Sequence, residues 1–124
     1  MIHYLITELE TQSAITDVVG DRIFSLSRLK DTQTPCLVLQ MTGSQENESK
    51  GFHLNVVTCF VEITAITESP AVTWQLAVDT LQQLNGKKNS QILSSQFNQW
   101  ASDVFESSEL FTITLSFTIQ IKIA

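Results

Sequence analysis

The sequence contains few cysteines and few long apolar stretches, and each shortage excludes a class of protein. Cys36 and Cys59 are the only cysteines in 124 residues, too few for the disulfide framework of a small secreted domain. They form no Cys-x-x-Cys motif, and His3 and His53 are not at zinc-ligand spacing. Continuous apolar runs are only a few residues long, well short of a transmembrane span. We therefore expect a soluble protein of a reducing compartment, with no metal and no cofactor.

Charge is also scarce, and what there is has mostly one sign. Charged residues make up 16% of the chain, with 7 basic and 13 acidic residues and a net charge of −6. An acidic chain of this kind does not wrap nucleic acid or coat an anionic membrane. Ser, Thr, Gln and Asn stand in place of the missing charge, which suits a surface that meets other proteins. At this length we expect one domain over residues 1–124.

Helical and strand periodicities alternate along the first third of the chain. Apolar residues at helical spacing over residues 2–9 predict an amphipathic first helix. Ser13 is expected to cap a short second helix that ends at Gly20. Residues 22–26 then predict a short strand, and residues 36–41 a buried one.

The middle of the chain predicts a long hairpin. Residues 43–51 contain no apolar side chain and are bracketed by glycines, which predicts a projecting tip. The return strand covers residues 52–66, and its second face carries Leu54, Val56 and Phe60 among polar residues. A fully solvated face would not keep these three side chains, so we expect another surface to cover part of it.

A central helix follows the hairpin. Ser69 is the expected N-cap and Pro70 the first helical residue, and Asn85-Gly86 ends the helix. Val72 and Leu76 fall on its far side, either as lone exposed apolar residues or as contacts with a neighbouring subunit. The stripe expected to face the core comprises Ala71, Trp74, Ala77, Val78, Leu81 and Leu84.

Two more strands complete the expected fold. Residues 92–97 predict a short strand followed by an acidic turn, and strict alternation over residues 111–123 predicts a long last strand. One face of the last strand is apolar and the other is nearly all hydroxyl or amide. The expected fold is α+β: an antiparallel sheet with a long β-hairpin, packed on one face by the N-terminal and central helices, in the order α-α-β-β-β-α-β-β.

The thiols do not form a reactive site. His53 and Cys59 lie six positions apart on one predicted strand, about 20 Å, which excludes a direct nucleophile–base pair. A turn centred between residues 47 and 48 would place Cys36 opposite Cys59, although a reducing compartment would keep both reduced. We expect both cysteines to be buried and inert.

The carboxylates give no catalytic pattern either. Glu62 stands among apolar neighbours with no second carboxylate two residues away. Glu46 and Glu48 form a close pair, but on a predicted hairpin tip rather than on two walls of a cleft. Trp100 reads as a core or interface anchor. We expect no catalytic residues and no enzyme activity.

Several weak motifs together resemble a known family. A short helix ends at Gly20 and is followed by an Arg-aliphatic-aromatic strand at residues 22–24, and Pro35 is followed by a hydrophobic strand. The long hairpin, a capped helix ending at residues 84–86 and an alternating last strand complete the order. Over nearly the whole chain this resembles the tail-terminator, or tail-completion, family of long-tailed bacteriophages.

The resemblance implies a structural virion protein of the tail and neck, assembled in the host cytoplasm. Such a protein forms a ring, typically of six subunits, at the head-proximal end of the tail tube. The ring ends tube polymerisation and joins the tail to the head connector. The implied partners are further copies of the chain, the tube protein and a head-completion or connector protein, while DNA passes through the lumen without specific binding. No membrane is involved.

The residues expected to make these contacts are polar tip residues and apolar residues outside the core: Gln45, Glu46, Asn47, Glu48, Ser49, Leu54, Val56, Phe60, Val72 and Leu76. Another neck ring, such as a head-closure or adaptor ring, is an alternative. From a different class, so are a small α+β ligand-binding domain and a generic dimerising module. A ligand pocket needs converging polar groups, and the sequence offers only Glu62 and His53, on opposite faces of one strand.

Overall fold

A computed structural model describes residues 2–25, 34–49, 52–86, 92–105 and 110–122. Side chains are described in these ranges except at 2–4, 44–49, 52–56, 93, 103–105 and 122. The helices are α1 (Ile2–Glu10), α2 (Ser13–Val19) and α3 (Pro70–Leu84). The strands are β1 (Ile23–Ser25), β2 (Cys36–Ser49), β3 (Phe52–Thr67), β4 (Ile92–Phe105) and β5 (Leu110–Lys122). The predicted element order is confirmed.

The strands form one five-stranded sheet in the order β1-β2-β3-β5-β4. The hairpin β2–β3 and the pairs β3–β5 and β5–β4 are antiparallel. β1 pairs with β2 in parallel, with Ile23 opposite Leu37. The predicted α+β class is therefore confirmed, and the expected antiparallel sheet carries one short parallel pair at its edge.

The core lies between one face of this sheet and the helices. Alternate residues of β3 and β5 point into it, as their period of two predicted. Leu5 and Leu9 of α1 are fully buried, so the predicted first amphipathic helix is confirmed. No described helix combines the length and the apolar character that crossing a bilayer requires. Buried core residues from the helices and strands include Ile15, Val19, Leu76, Leu84, Ile63, Leu115, Phe117 and Ile119.

Local signals at both ends of α3 are confirmed. The Ser69 side chain accepts a hydrogen bond from the Val72 backbone N–H, and Pro70 is the first helical residue. Asn85 caps the C-terminus, and Gly86 follows with a positive φ of 74° that favours glycine.

The predicted orientation of α3 is wrong by part of a turn. Trp74 is 57% exposed, although it was expected in the core, and Leu76 is fully buried, although it was expected on the outside. The buried stripe comprises Thr73, Leu76, Ala77, Thr80 and Leu84. Thr73 and Thr80 donate their hydroxyls to the carbonyls of Ser69 and Leu76, one turn back. Because its hydroxyl is hydrogen-bonded within the helix, each threonine packs like a small apolar residue. The side of α3 that carries Thr73 and Thr80 therefore faces the core.

The hairpin is longer than predicted. Residues 43–49 were expected in a turn, but they belong to β2, where Gln45 pairs with Thr58 and Asn47 with Val56. The turn residues 50–51 lie outside the described residues. This polar end of β2 forms without an apolar face of its own, because the backbone ladder to β3 supplies its hydrogen bonds.

β4 and the start of α2 also differ from expectation. β4 covers residues 92–105 instead of a short strand followed by an acidic turn, because β5 offers a partner along its whole length. Two register shifts absorb the irregular pattern of β4. Gln12, not Ser13, is the N-cap of α2, because its carbonyl accepts the first helical hydrogen bonds.

Candidate functional site

The sheet face opposite the helices is largely polar, and we call it the open face. In the described strands its side chains include Gln40, Phe60, Glu62, Thr64, Ser94, Gln96, Asn98, Thr114, Ser116, Thr118 and Gln120. Glu62 is the one charged side chain described among these strand positions, opposite Gln40 on β2 and Ser116 on β5. The predicted hydroxyl and amide character of this face of the last strand therefore continues onto β4.

Side-chain hydrogen bonds tie this polar surface together across neighbouring strands. The hydroxyls of Thr64 and Thr114 lie 3.0 Å apart. Asn98 donates from its amide to the Thr118 hydroxyl at 2.6 Å, and Ser94 donates to the Gln120 side chain at 3.2 Å. These bonds link side chains of β3, β5 and β4 across the face, whose described side chains include no Lys or Arg.

Phe60 interrupts the polar surface. It is 40% exposed and lies opposite Gly43, where a Cβ atom would approach its ring to 3.4 Å. Leu54 and Val56 belong to the same strand, and their side chains lie outside the described set. Phe60 is thus an exposed apolar residue on the open face, as its place in the predicted interface requires.

The other predicted interface residues are not brought into one patch. Val72 is 37% exposed on α3, on the helical side of the sheet, whereas Leu76 belongs to the core. The backbone of Gln45, Glu46, Asn47, Glu48 and Ser49 lies in the β2 arm of the hairpin. The prediction that Leu76 faces outward is therefore wrong, and the interface role of the other nine residues stays a prediction.

The two cysteines are free and buried, but they do not face each other. Cys36 pairs with Ile66 and Cys59 with Ser44, so the register that would have placed them opposite each other is wrong. Burial raises the pKa of both thiols, and the positive charge of Arg22 offsets part of the rise at Cys36. Both thiols therefore stay protonated near neutral pH.

The edges of the sheet, as far as the described residues show them, are a feature that the sequence analysis missed. The outer edge of β4 is covered at one point by the residues that end α3: the Gly86 N–H donates to the Ser95 carbonyl at 2.8 Å, and the Phe97 N–H donates to Asn85 Oδ1 at 3.3 Å. The signal for this was the Asn85-Gly86 pair, which was interpreted only as a helix end. No sequence pattern marks which strand becomes an edge.

An aromatic pair lies beside the same edge. The Trp74 ring contacts that of Trp100 on β4 with centroids 5.0 Å apart. Trp100 packs against the core, as its interpretation as an anchor predicted, while Trp74 stays largely exposed. Met41, 40% exposed, lies on β2 beyond the residues that β1 covers.

The described residues contain no group of three or more His, Cys, Asp or Glu side chains placed to hold a metal.

Comparison with known proteins decides the family. The family model described as tail completion protein gp17 matches residues 3–122. The chain belongs to this family. A tail completion protein is a structural component of the virion and not an enzyme, so this chain is a structural protein of the phage tail and neck.

A solved structure has the same fold. A chain of the structure titled "Virion of native gene transfer agent (GTA) particle" is similar to this one with a TM-score of 0.71 and 12% sequence identity. The similarity covers 96% of this chain and 92% of that chain. No curated protein matches the sequence.

Proposed function

We propose that this tail completion protein forms a closed ring at the head-proximal end of the tail tube. The ring stops further addition of tube subunits and joins the tail to the head connector. The observation that carries the proposal is the family match, which covers nearly the whole chain. In the part of the chain that the structure describes, a single sheet with an unpaired segment on each edge and an open face supports it, because a ring subunit needs different surfaces for its two neighbours.

The open face is the surface we assign to the lumen of the ring, through which DNA passes. Its described side chains are mostly hydroxyls and amides and include no Lys or Arg, so the face offers phosphate groups no cation. Glu62 adds negative charge, and the chain carries a net charge of −6. A wall of this kind lets DNA slide without sticking.

The hairpin arm is the part we assign to the tube or to the connector. Among the described residues, 48–49 of β2 and 52–55 of β3 extend beyond the last pair formed by β5, Val56 with Lys122. The arm therefore projects from the body of the domain. It offers an axial contact that leaves the open face free.

The solution mass and negative-stain images of the purified protein test the ring. The proposal predicts closed rings, either of the protein alone or when tube protein is added. A protein that stays monomeric and never joins tube ends would contradict it. Rings that bind purified heads but leave tube growth unchanged would point to another neck ring, such as a head-closure or adaptor ring.

A shortened hairpin tests the assignment of the arm. Replacing residues 48–55 with a two-residue Asn-Gly turn keeps the Asn47–Val56 pair as the last one. We expect this variant to fold and to lose control of tail length or joining to heads. The control replaces only residues 50–51 with Asn-Gly. Normal virions from the shortened variant would remove the arm from the contact surface.

A further inference from the structure

Both edges of the sheet are divided into a covered and an open segment. β1 pairs with β2 only at residues 37–39, so within the described residues β2 has no neighbour on that side over residues 40–49. Asn85 and Gly86 bond to β4 at residues 95–97, and no described residue pairs with the outer side of residues 99–105. We call these two stretches the open segments of β2 and β4. Unpaired strand edges of this kind accept another strand.

An exposed apolar side chain lies at each open segment. Met41, 40% exposed, belongs to the open segment of β2. Trp74, 57% exposed, contacts Trp100, which belongs to the open segment of β4. An added strand on either edge would cover the apolar side chain there. Free edge and exposed apolar surface therefore coincide on both sides of the same sheet.

We propose that the open segment of β4 in one subunit pairs with the open segment of β2 in a second copy of this chain. The proposal rests on the proposed ring and specifies its subunit contact. β2, β3, β5 and β4 alternate in direction, so β4 runs opposite to β2.

Gln40 and Gln99 lie at the same level of the sheet, through the pairs Gln40–Glu62, Glu62–Ser116 and Ser116–Gln99, and the two open segments run from there towards opposite ends. They meet when the neighbour is displaced by about six residues along the strands, which corresponds to strands inclined by about 45° to the ring axis, as in a β-barrel. The β2 of the neighbour then lies antiparallel to β4. The contact joins two different surfaces, and repeating it by rotation closes a ring.

The lengths of the open segments fit this contact. Residues 99–105 laid antiparallel against residues 40–46 of the neighbour give a ladder of about seven residues, longer than a typical short strand. Met41 of the neighbour then lies beside the last residues of β4. Trp74 then lies beside the residues that follow Gly43 in the neighbouring subunit, and these residues would bury its ring. The bonds from Asn85 and Gly86 stop the ladder at the other end.

Cysteine cross-linking tests the contact directly. The native Cys36 and Cys59 are buried, so we expect them to react only slowly with the cross-linker. In one chain Met41 and Ser102 are about 20 Å apart, three strand spacings across and four residues along the sheet, beyond the reach of a short bis-maleimide. The double variant Met41→Cys/Ser102→Cys should give a ladder of covalent oligomers. A mixture of the two single variants should stop at dimers, and each single variant alone should stay monomeric. Cross-linking of a single variant to itself would overturn the proposal.

Substitutions at the β4 edge provide an independent test. The alternation of the β4–β5 ladder past the bulge directs the Ser102 N–H outward, so Ser102→Pro removes a donor from the free edge and leaves the pairing with β5 intact. Trp74→Glu places a charge where the neighbour would pack. We expect both to raise the concentration for half-maximal ring assembly at least tenfold. Ser102→Ala, which keeps the N–H, and Gln82→Glu, on the exposed surface of α3, should stay within twofold of the wild type.

The outcomes separate this contact from the proposed function. Rings that form normally with Ser102→Pro and Trp74→Glu would overturn the edge contact and leave the ring itself standing. A wild-type protein that forms no ring with or without tube protein would overturn the proposed function. Circular dichroism and thermal unfolding of each variant ensure that a lost ring reflects a lost contact rather than a lost fold.

Discussion

The hydroxyl oxygens of Thr67, at the end of β3, and Thr73, in the first turns of α3, lie 2.6 Å apart in the core. Each hydroxyl has one hydrogen, so with Thr73 bonded to the Ser69 carbonyl, Thr67 donates to the Thr73 hydroxyl; Thr67 also accepts from the Ser69 N–H at 3.0 Å. Thr73 donates to the same carbonyl at 2.9 Å. This small network fixes the angle at which the chain leaves the sheet and enters α3, and with it which side of the helix is buried.

The network predicts unequal costs for two isosteric substitutions. Thr73→Val should lower the free energy of unfolding by about 1 kcal/mol, because the Ser69 carbonyl keeps its bond from the Thr73 backbone N–H. Thr67→Val should cost about 2 kcal/mol, because the Ser69 N–H loses its acceptor. Urea unfolding measures both, with Thr64→Val on the open face as the control. A smaller loss for Thr67→Val than for Thr73→Val would contradict this assignment.

Ser95 offers the opposite case, a buried hydroxyl with no hydrogen-bond partner within the described residues. Ser95→Ala removes this unsatisfied group and keeps the carbonyl that accepts from Gly86. We expect the free energy of unfolding to rise by up to about 1 kcal/mol. Ser94→Ala, which removes a bonded hydroxyl on the open face, should leave it unchanged or slightly lower. Destabilisation by Ser95→Ala would mean that the hydroxyl has a partner after all.

The buried thiols predict a loss of stability at alkaline pH. Burial raises the pKa of Cys36 and Cys59 above the ordinary 9.0, so the folded chain keeps protons that the unfolded chain releases. Their contribution is complete below 9.0 and declines as the pH rises from there towards the folded-state pKa. The double variant Cys36→Ala/Cys59→Ala should show a shallower decline in urea unfolding between about pH 8 and about pH 10. Parallel curves for the two proteins would rule out a thiol contribution.

Charge reversal at Glu62 tests the assignment of the open face to the lumen. Glu62→Lys should leave ring formation intact and slow the release of DNA from assembled particles, because each subunit would then present a cation to the phosphates. Glu62→Gln should behave as the wild type. Gln82→Lys, on the exposed surface of α3, is the control for added positive charge. If Glu62→Lys and Gln82→Lys particles release DNA at the same rate, the open face does not line the lumen.

Much of the fold could be predicted because its signals are local or strictly periodic. Ser69, Pro70 and Gly86 mark the ends of α3 through their own backbone chemistry. The alternation of β3 and β5 is long enough that a shift by one residue would expose the whole core face. These features need no knowledge of distant parts of the chain.

The features that were missed depend on contacts between distant residues. The orientation of α3 depends on Thr73, whose partner Thr67 belongs to β3. The polar half of β2 and most of β4 become strands because β3 and β5 provide partners for them. For the same reason the exposure of Trp74 and the free edges could not be foreseen, since an edge is defined by which strand has no neighbour.

Tube assembly in the presence of this protein tests the central claim most directly. Purified tube protein is polymerised with increasing amounts of the chain, and tube lengths and tube ends are measured in negative-stain images. The account predicts shorter tubes as the amount rises, each with a ring of added density at one end only. Tubes of unchanged length with bare ends at every ratio would contradict it.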